Sequence, residues 1–365
     1  MKLICQTSEL KDAIMNTQRA VAVRSTMQIL DGLLIEANQD ILLTGYDMEM
    51  GITCRIPAEI IEPGKIVITA KMLSDIARKL PGETVSIEVD DQLKVKIVSG
   101  KSEFQIKGRE ADTFPVLPEV AKENELTMSQ ATLKNMIRQT IFAVSTDEQR
   151  HNLNGALLKC AGNLIEMVAI DGFRLALRRE ESPVELPNLE FIIHGKALRE
   201  LMNILLDDKA AITLYTTMNH IKFHFGNVTM VSRLIQGEFM NYDSLLPSSS
   251  QTQIVINTLK LQRAIERSML LIESDNLRYP VNFKNEDNVL VVHETTNVGI
   301  LHEEIEIDIS GDNFDIDFNP SYFIDALRAV DDEMISINFN GQVGPCVVNP
   351  IEGDKFAYLI MPLRR

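Results

Sequence analysis

The chain aligns with itself three times, and no other feature limits its folding so strongly. The segments ITAKMLSDIARKL (68–80), IHGKALRELMNIL (193–205) and FNPSYFIDALRAV (318–330) correspond, with Lys71, Lys196 and Ser321 spaced 125 residues apart. A second set, SELKDAIMNTQRAV (8–21), SQATLKNMIRQTIFAV (129–144) and TLKLQRAIERSMLL (258–271), precedes the first at a similar distance each time. A unit of this length is domain-sized, so the pattern predicts a triplicated domain and not a solenoid. At 365 residues the chain is also too long for a single core.

Periodicity says what each unit contains. Leu73, Ile76, Ala77 and Leu80 occupy i, i+3, i+4 and i+7, as do Leu198, Leu201, Met202 and Leu205, which is the stripe of an amphipathic helix. Between the helices, TVSIEVDDQLKVKIV and AAITLYTTMNHIKFHF alternate with the period of half-buried strands. EPGK (62–65) and LPGE (80–83) supply turns. Two helices with one apolar stripe each pack on one face of an antiparallel sheet, giving an α+β class. Breaks after FPVLPEVAKEN and in the Ser-rich NYDSLLPSSSQTQ predict domains at 1–124, 125–250 and 251–365.

Composition narrows the function. Hydrophobic content of 45% with 24% charged residues suits a folded chain, and the absence of tryptophan leaves aliphatic side chains to fill the cores. No apolar run is long enough to span a bilayer, and the start turns polar after five residues, so no secretory signal is expected. Cys5, Cys54, Cys160 and Cys346 are scattered without a CxxC pair, which predicts buried free thiols in a reducing cytoplasm.

Charge is unevenly placed. The six helical segments together carry +7, leaving −23 on the rest of a chain whose net charge is −16. Lys71 with Arg78, Lys196 with Arg199, and Lys260 with Arg263 and Arg267 fall opposite the apolar stripes of their helices. Lys134 and Arg138 add to the surplus, although Lys134, like Lys11, opposes no well-formed stripe. A basic face on any one helix is ordinarily just solvated. Its recurrence at equivalent places favours a shared anionic partner, held through phosphates without base readout, since no recognition motif is present.

Several chemical motifs fail on inspection. SGKSEF ends like a phosphate-binding loop, but Val95 stands where that loop needs glycine. DIDFNP opens like a calcium loop, yet Pro320 replaces the turn glycine and Ala326 the bidentate glutamate. His220 and His224 have no third ligand nearby and lie on an expected strand, so a solvent-facing pair is the better reading than a metal site. With no HExxH or GxSxG either, no catalytic site, metal or cofactor is expected.

ILDGLLIEA (29–37), LNGALL (153–158), AIDGFRLAL (169–177) and the terminal YLIMPLRR, set in three acidic repeats with basic helices, resemble one family over the full length. The chain is similar to the beta subunit of bacterial DNA polymerase III, the sliding clamp. The resemblance implies a DNA-clamp fold and a ring-shaped, head-to-tail homodimer. It implies a cytoplasmic, non-catalytic processivity factor that encircles double-stranded DNA without sequence preference. It also implies that replicative polymerase, clamp loader and repair proteins bind through short peptide motifs. A soluble scaffold unrelated to DNA is the alternative from another class. A clamp stays on a closed circle and leaves a cut one, which separates the two.

The resemblance also assigns residues. DNA-facing positions are Arg24 and Arg150, in the loop 147–152, together with the basic helix residues above. Subunits would join through a basic edge in 92–109 (Lys94, Lys96) and an acidic edge in 302–309 (Glu304, Glu306), with Phe104 and Ile106 packing against Leu271 and Ile272. The peptide groove would comprise Leu153, Ile170, Gly172, Phe173, Arg174, Leu175, Met240, Leu245, Leu359, Met361, Pro362, Leu363 and Arg364. Aliphatic and Met side chains make an adaptable slot, and Arg174 and Arg364 are suited to holding a peptide carbonyl or carboxylate. Alternation through YLIMP assigns Tyr358 and Ile360 to the core of the third domain and Leu359 and Met361 to the groove.

Overall fold

A computed structural model describes residues 1–22, 25–247, 249–272 and 280–363. All six expected helices are present: α1 (Thr7–Thr17), α2 (Ala70–Ala77), α3 (Gln130–Arg138), α4 (Gly195–Ile204), α5 (Thr258–Ser268) and α6 (Pro320–Ala329). α1 buries Leu10, Ala13 and Ile14, and α2 buries Leu73 and Ala77. α5 buries Leu261, Ala264 and Ile265 in the same way. Asn257 caps α5 by accepting from the Lys260 N–H, and Asn319 caps α6 by accepting from Ser321 N–H, with Pro320 in the first turn. The expected segments 129–144 and 258–271 end in short 3₁₀ turns at Ile141–Ala143 and Met269–Leu271.

Contacts gather the chain into two compact units, residues 1–131 with 203–234 and residues 132–202 with 235–365. In the first unit, one antiparallel sheet runs Glu59–Glu62, Lys2–Gln6, Thr84–Val89, Lys94–Ser99, Ser102–Lys107. A second runs Gly64–Thr69, Gly32–Ala37, Ile41–Tyr46, Met50–Ile56, Val228–Ile235, His220–Phe225, Ala211–Thr216, Leu126–Ser129. Met50–Ile56 of the first repeat pairs directly with Val228–Ile235 of the second, from Val228↔Cys54 to Ser232↔Met50. α1 lies beside α2 and presses on the strand Ile41–Tyr46 so closely that a Cβ on Gly45 would stand 2.1 Å from the Thr17 carbonyl oxygen.

In the second unit, one sheet runs Asp308–Gly311, Thr252–Asn257, Met334–Phe339, Cys346–Pro350, Phe356–Ile360, Arg174–His194, Gly155–Ile170. Another runs Ile300–Glu306, Val289–Thr295, Val281–Glu286, Asp315–Phe318, and α5 packs beside α6. All four cysteines are free and buried. No described helix is long and apolar enough to cross a membrane.

Two expectations about strands need correction. The segment 302–309 is not one strand, because it divides between Ile300–Glu306 and Asp308–Gly311 in different sheets. Ile307 is buried at the switch and donates its N–H to the Asn288 carbonyl. The segment 92–109 is a hairpin turning at Gly100 (φ 57°), so Lys94 and Lys96 lie on the second strand in, and Ser102–Lys107 is the free edge. The exposed side chains of that edge are Glu103, Gln105 and Lys107, and Lys96 pairs with Glu103 at 3.1 Å. The edge is mixed in charge and not basic.

Candidate functional site

The basic helix faces form as their spacing requires. Lys71 and Arg78 on α2, Lys196 and Arg199 on α4, and Lys260, Arg263 and Arg267 on α5 are exposed, while the apolar stripes beneath them are buried. Among the described residues Lys71, Arg199, Lys260 and Arg263 form no ion pair. Three others are countered: Arg78 pairs with Asp75 at 3.7 Å, Arg267 makes a two-pronged ion pair with Glu303, and Arg138 is bound to Asp331 and to the Ala329 carbonyl. Lys134 and Arg138 are only partly exposed. Arg24 lies outside the described residues, as does Arg364 of the expected groove.

The residues expected to line the groove divide into a buried floor and an exposed apolar set. Leu153, Ile170, Leu175 and Leu359 pack with Leu177, Val347 and Tyr242 in one cluster. Phe239 and Leu246 pack against it, and Phe173, Met240, Leu245, Met361 and Leu363 each stay 38–53% exposed. Phe356–Ile360 is buried throughout, so Leu359 joins the floor and not an open wall; alternation could not show this because both sides of that strand are covered. The tail is held by two backbone bonds, Met361 N–H to the Phe173 carbonyl at 2.9 Å and Leu363 N–H to the Asp317 carbonyl at 2.8 Å. A cavity beside the tail is lined by Pro362, Leu363, Ile316 and Val343.

The turn at 171–173 joins Gly155–Ile170 to Arg174–His194 and is built by Asp171. Its Oδ1 accepts from the N–H groups of Phe173 (2.9 Å) and Arg174 (3.0 Å), and its Oδ2 from Arg174 Nε (2.9 Å). Gly172 has φ 95°, a conformation that side-chain-bearing residues rarely adopt. Arg174 is 12% exposed and also donates to Asp325 at 2.6 Å, with its Cζ 4.6 Å from the Tyr322 ring centre and 5.5 Å from that of Phe142. Its guanidinium is therefore a structural rivet, and much of the capacity expected for a peptide is already taken. Phe173 stacks on Tyr322 with ring centres 6.3 Å apart. Sequence reasoning missed Asp171, Tyr322 and Asp325; the Asp-Gly pair between two apolar runs was the available signal for the turn.

The loop bearing Met240 and Leu245 is anchored from below. Tyr242, 4% exposed, donates its hydroxyl to Glu166 Oε2 at 2.8 Å, and Glu166 Oε1 accepts from Arg179 Nε at 2.8 Å. Arg179 reaches on to Asp354 at 2.8 Å. Burial first, and then the bond to Glu166, push the Tyr242 phenol far up, so it stays a proton donor.

Each unit also carries an exposed apolar edge. In the first, Phe104 opens with Met72 and Ile76 of α2 onto one apolar cavity, with Ile106 on the same face of the strand. In the second, Leu270, Val298 and Ile300 are 81%, 57% and 70% exposed beside Leu271 and Ile272. Glu304 and Glu306 are exposed on that unit's edge strand.

Models of the DNA polymerase III beta subunit match the chain from end to end: the N-terminal domain over residues 1–118, the central domain over 127–241 and the C-terminal domain over 243–364. The chain belongs to this family. The beta sliding clamp of Bacillus subtilis is 34% identical over the whole of both chains, and that of Staphylococcus epidermidis 35% identical over 96% of this chain and 95% of the relative. The solved sliding clamp of Bacillus subtilis superposes with a TM-score of 0.96 at 33% identity, covering 100% of this chain and 99% of that one. Membership accounts for the triplication, since the three family domains follow one another in the order of the repeats.

Proposed function

We propose that this chain is a DNA sliding clamp, a non-catalytic cytoplasmic processivity factor of DNA polymerase III. Two copies join head to tail, the Phe104 edge of one meeting the Leu271–Ile272 edge of the next, and the resulting ring surrounds duplex DNA. The observation that carries the reading is the exposed basic face on α2 and α4, equivalent helices of the first two repeats, and on α5 of the third, on a chain that is otherwise strongly acidic. Lys71, Arg78, Lys196, Arg199, Lys260 and Arg263 meet phosphates, with smaller contributions from Lys134, Arg138 and Arg267 and from the loop residues Arg24 and Arg150. Weak, sequence-independent contacts hold a duplex yet let it slide. Polymerase, clamp loader and repair proteins dock short apolar-ended peptides on the Leu153–Leu359 floor between Phe173, Met240, Leu245 and Met361.

A loaded protein should remain on a closed plasmid circle through a high-salt wash and leave once the circle is cut. Removing residues 361–365 should abolish binding of polymerase and loader without altering sedimentation of the dimer. Equal retention on cut and closed circles would exclude the clamp reading. Normal polymerase and loader binding by the truncated chain would exclude the groove.

A further inference from the structure

The turn at 171–173 has a twin in the first unit. Asp47 Oδ1 accepts from the N–H groups of Glu49 (3.0 Å) and Met50 (2.8 Å), as Asp171 Oδ1 accepts from those of Phe173 and Arg174. Met48 takes φ 77° where Gly172 takes 95°. The Arg233 N–H donates to the Glu49 carbonyl at 3.0 Å, as the Met361 N–H does to the Phe173 carbonyl. The flanking ladders match too: Ser232↔Met50 and Val231↔Gly51 correspond to Ile360↔Arg174 and Leu359↔Leu175. The junction of the first two repeats is thus built like the candidate groove, with Tyr46 and Val231 in the places of the floor residues Ile170 and Leu359.

The two floors are covered differently. In the second unit six residues lie between Phe239 and Leu246, which pack on the floor, and Met240 and Leu245 among them stay exposed. In the first unit only Pro115 and Val116 separate Phe114 from Leu117, so the chain crosses directly. Leu117 packs against the cluster that holds Tyr46 and Phe114, and Val120 is buried with Val231 and Tyr215. A Cβ on Gly51 would stand 2.5 Å from Leu117 Cδ2, so this strand has no side chain where Leu175 stands in the other groove. The far end is tied down as well. Lys222 Nζ donates to the Val120 carbonyl at 2.8 Å, and the Thr216 N–H to the Glu123 carbonyl at 3.3 Å.

We propose that this junction is a second peptide-binding groove, held shut by residues 114–120 of the same chain. Leu117 and Val120 are the anchors of the bound segment, while Val116 between them and Phe114 is 89% exposed. The ligand class is an extended, proline-containing apolar peptide, and the rim carries exposed Glu49 and Arg233 where the other groove has Phe173 and Met361. A tethered segment occupies its own site at high effective concentration, so a free peptide enters only when the anchors let go. Nothing in this depends on what the candidate groove binds.

The probe is a fluorescein-labelled peptide of the strap's own sequence, DTFPVLPEV, with bound peptides per chain counted by native mass spectrometry and affinity read by anisotropy. Leu117→Ala with Val120→Ala should bind one more peptide per chain than wild type does. Leu117→Ala alone is the milder variant should the pair fail to fold, and it should show the same gain at lower affinity. Val116→Ala should show no gain. Adding Gly51→Ala to the anchor variant should weaken the extra binding about tenfold, because its Cβ stands where the peptide's leucine sits. The second groove is excluded if folded anchor variants bind no more peptide than wild type, if Val116→Ala gains as much, or if Gly51→Ala leaves the extra binding unchanged.

Discussion

Replacing Tyr242 with phenylalanine isolates one buried hydrogen bond beneath the candidate groove. The ring is 4% exposed and packs with Leu153, Leu175, Leu177 and Leu359, so the change keeps the apolar contact and removes only the hydroxyl. What is lost is a 2.8 Å bond to a carboxylate that is itself 8% exposed. Hydrogen bonds to charged acceptors contribute about 1.5–3 kcal/mol, and leaving Glu166 Oε2 buried without a donor places the expected cost near the middle, about 2 kcal/mol. The loss should be felt first in the loop, where the Leu245 N–H donates to the Tyr242 carbonyl and Ser244 Oγ to Asn241. If local opening bears the whole cost, amide exchange in residues 240–246 should accelerate about 30-fold. Hydrogen exchange by mass spectrometry reads this directly, and circular dichroism follows global unfolding in a chain without tryptophan. Pairing the change with Glu166→Gln in a double-mutant cycle should return a coupling of at least about 1 kcal/mol. Acceleration below about threefold with unchanged stability would refute the argument that this bond anchors the loop.

Two further outcomes follow from buried titratable groups. Glu294 is 1% exposed, and burial pushes its carboxyl above the ordinary 4.5, outweighing the Ser268 hydroxyl, which acts to lower it. The folded state thus holds the proton more tightly than the unfolded chain, so this group favours folding below pH 4.5 and opposes it as pH rises through the folded value. Glu294→Gln should stabilise the protein at pH 7 by about 1–3 kcal/mol, with the gain fading in acid; urea titrations at both pH values check it. The thiols of Cys5, Cys54 and Cys160 are pushed up to about 12, about 11 and about 11 by burial, and that of Cys346 higher still. Iodoacetamide at pH 8 should leave all four unmodified in the native chain and label all four in urea, which peptide mass mapping would show.

The helices and their basic faces were legible because their signals are local. Leu261, Ile265 and Lys260, Arg263, Arg267 sort themselves at 100° per residue, and the structure buries the first set and exposes the second. What the sequence hid depends on partners far along the chain. Glu303 lies 36 residues from the Arg267 it neutralises, and Asp331 193 residues from Arg138, so neither pairing leaves a mark in helical periodicity. The free edge at Ser102–Lys107 was misplaced for a related reason, since alternation continues through 92–107 and only the turn at Gly100 decides which strand lies outermost. In the groove, the apolar residues could be named, but not the acidic ones. Asp171, 3 residues away, and Asp325, 151 residues away, converge on Arg174, and a guanidinium so held cannot be distinguished in sequence from one kept for a ligand.

The pairing of Met50–Ile56 with Val228–Ile235 has a mechanical consequence. A seam made of main-chain bonds is indifferent to most side-chain substitution, so it tolerates sequence drift at the junction of the first two repeats. It is also stiff, because bending there requires adjacent ladder bonds to break together. Bending within this unit has to be sought away from this seam, and the sheets themselves end at edges such as Ser102–Lys107 and Ile300–Glu306, which pair with no further described strand. Edges of that kind present unpaired main-chain N–H and C=O groups, which leaves them able to take on a further strand.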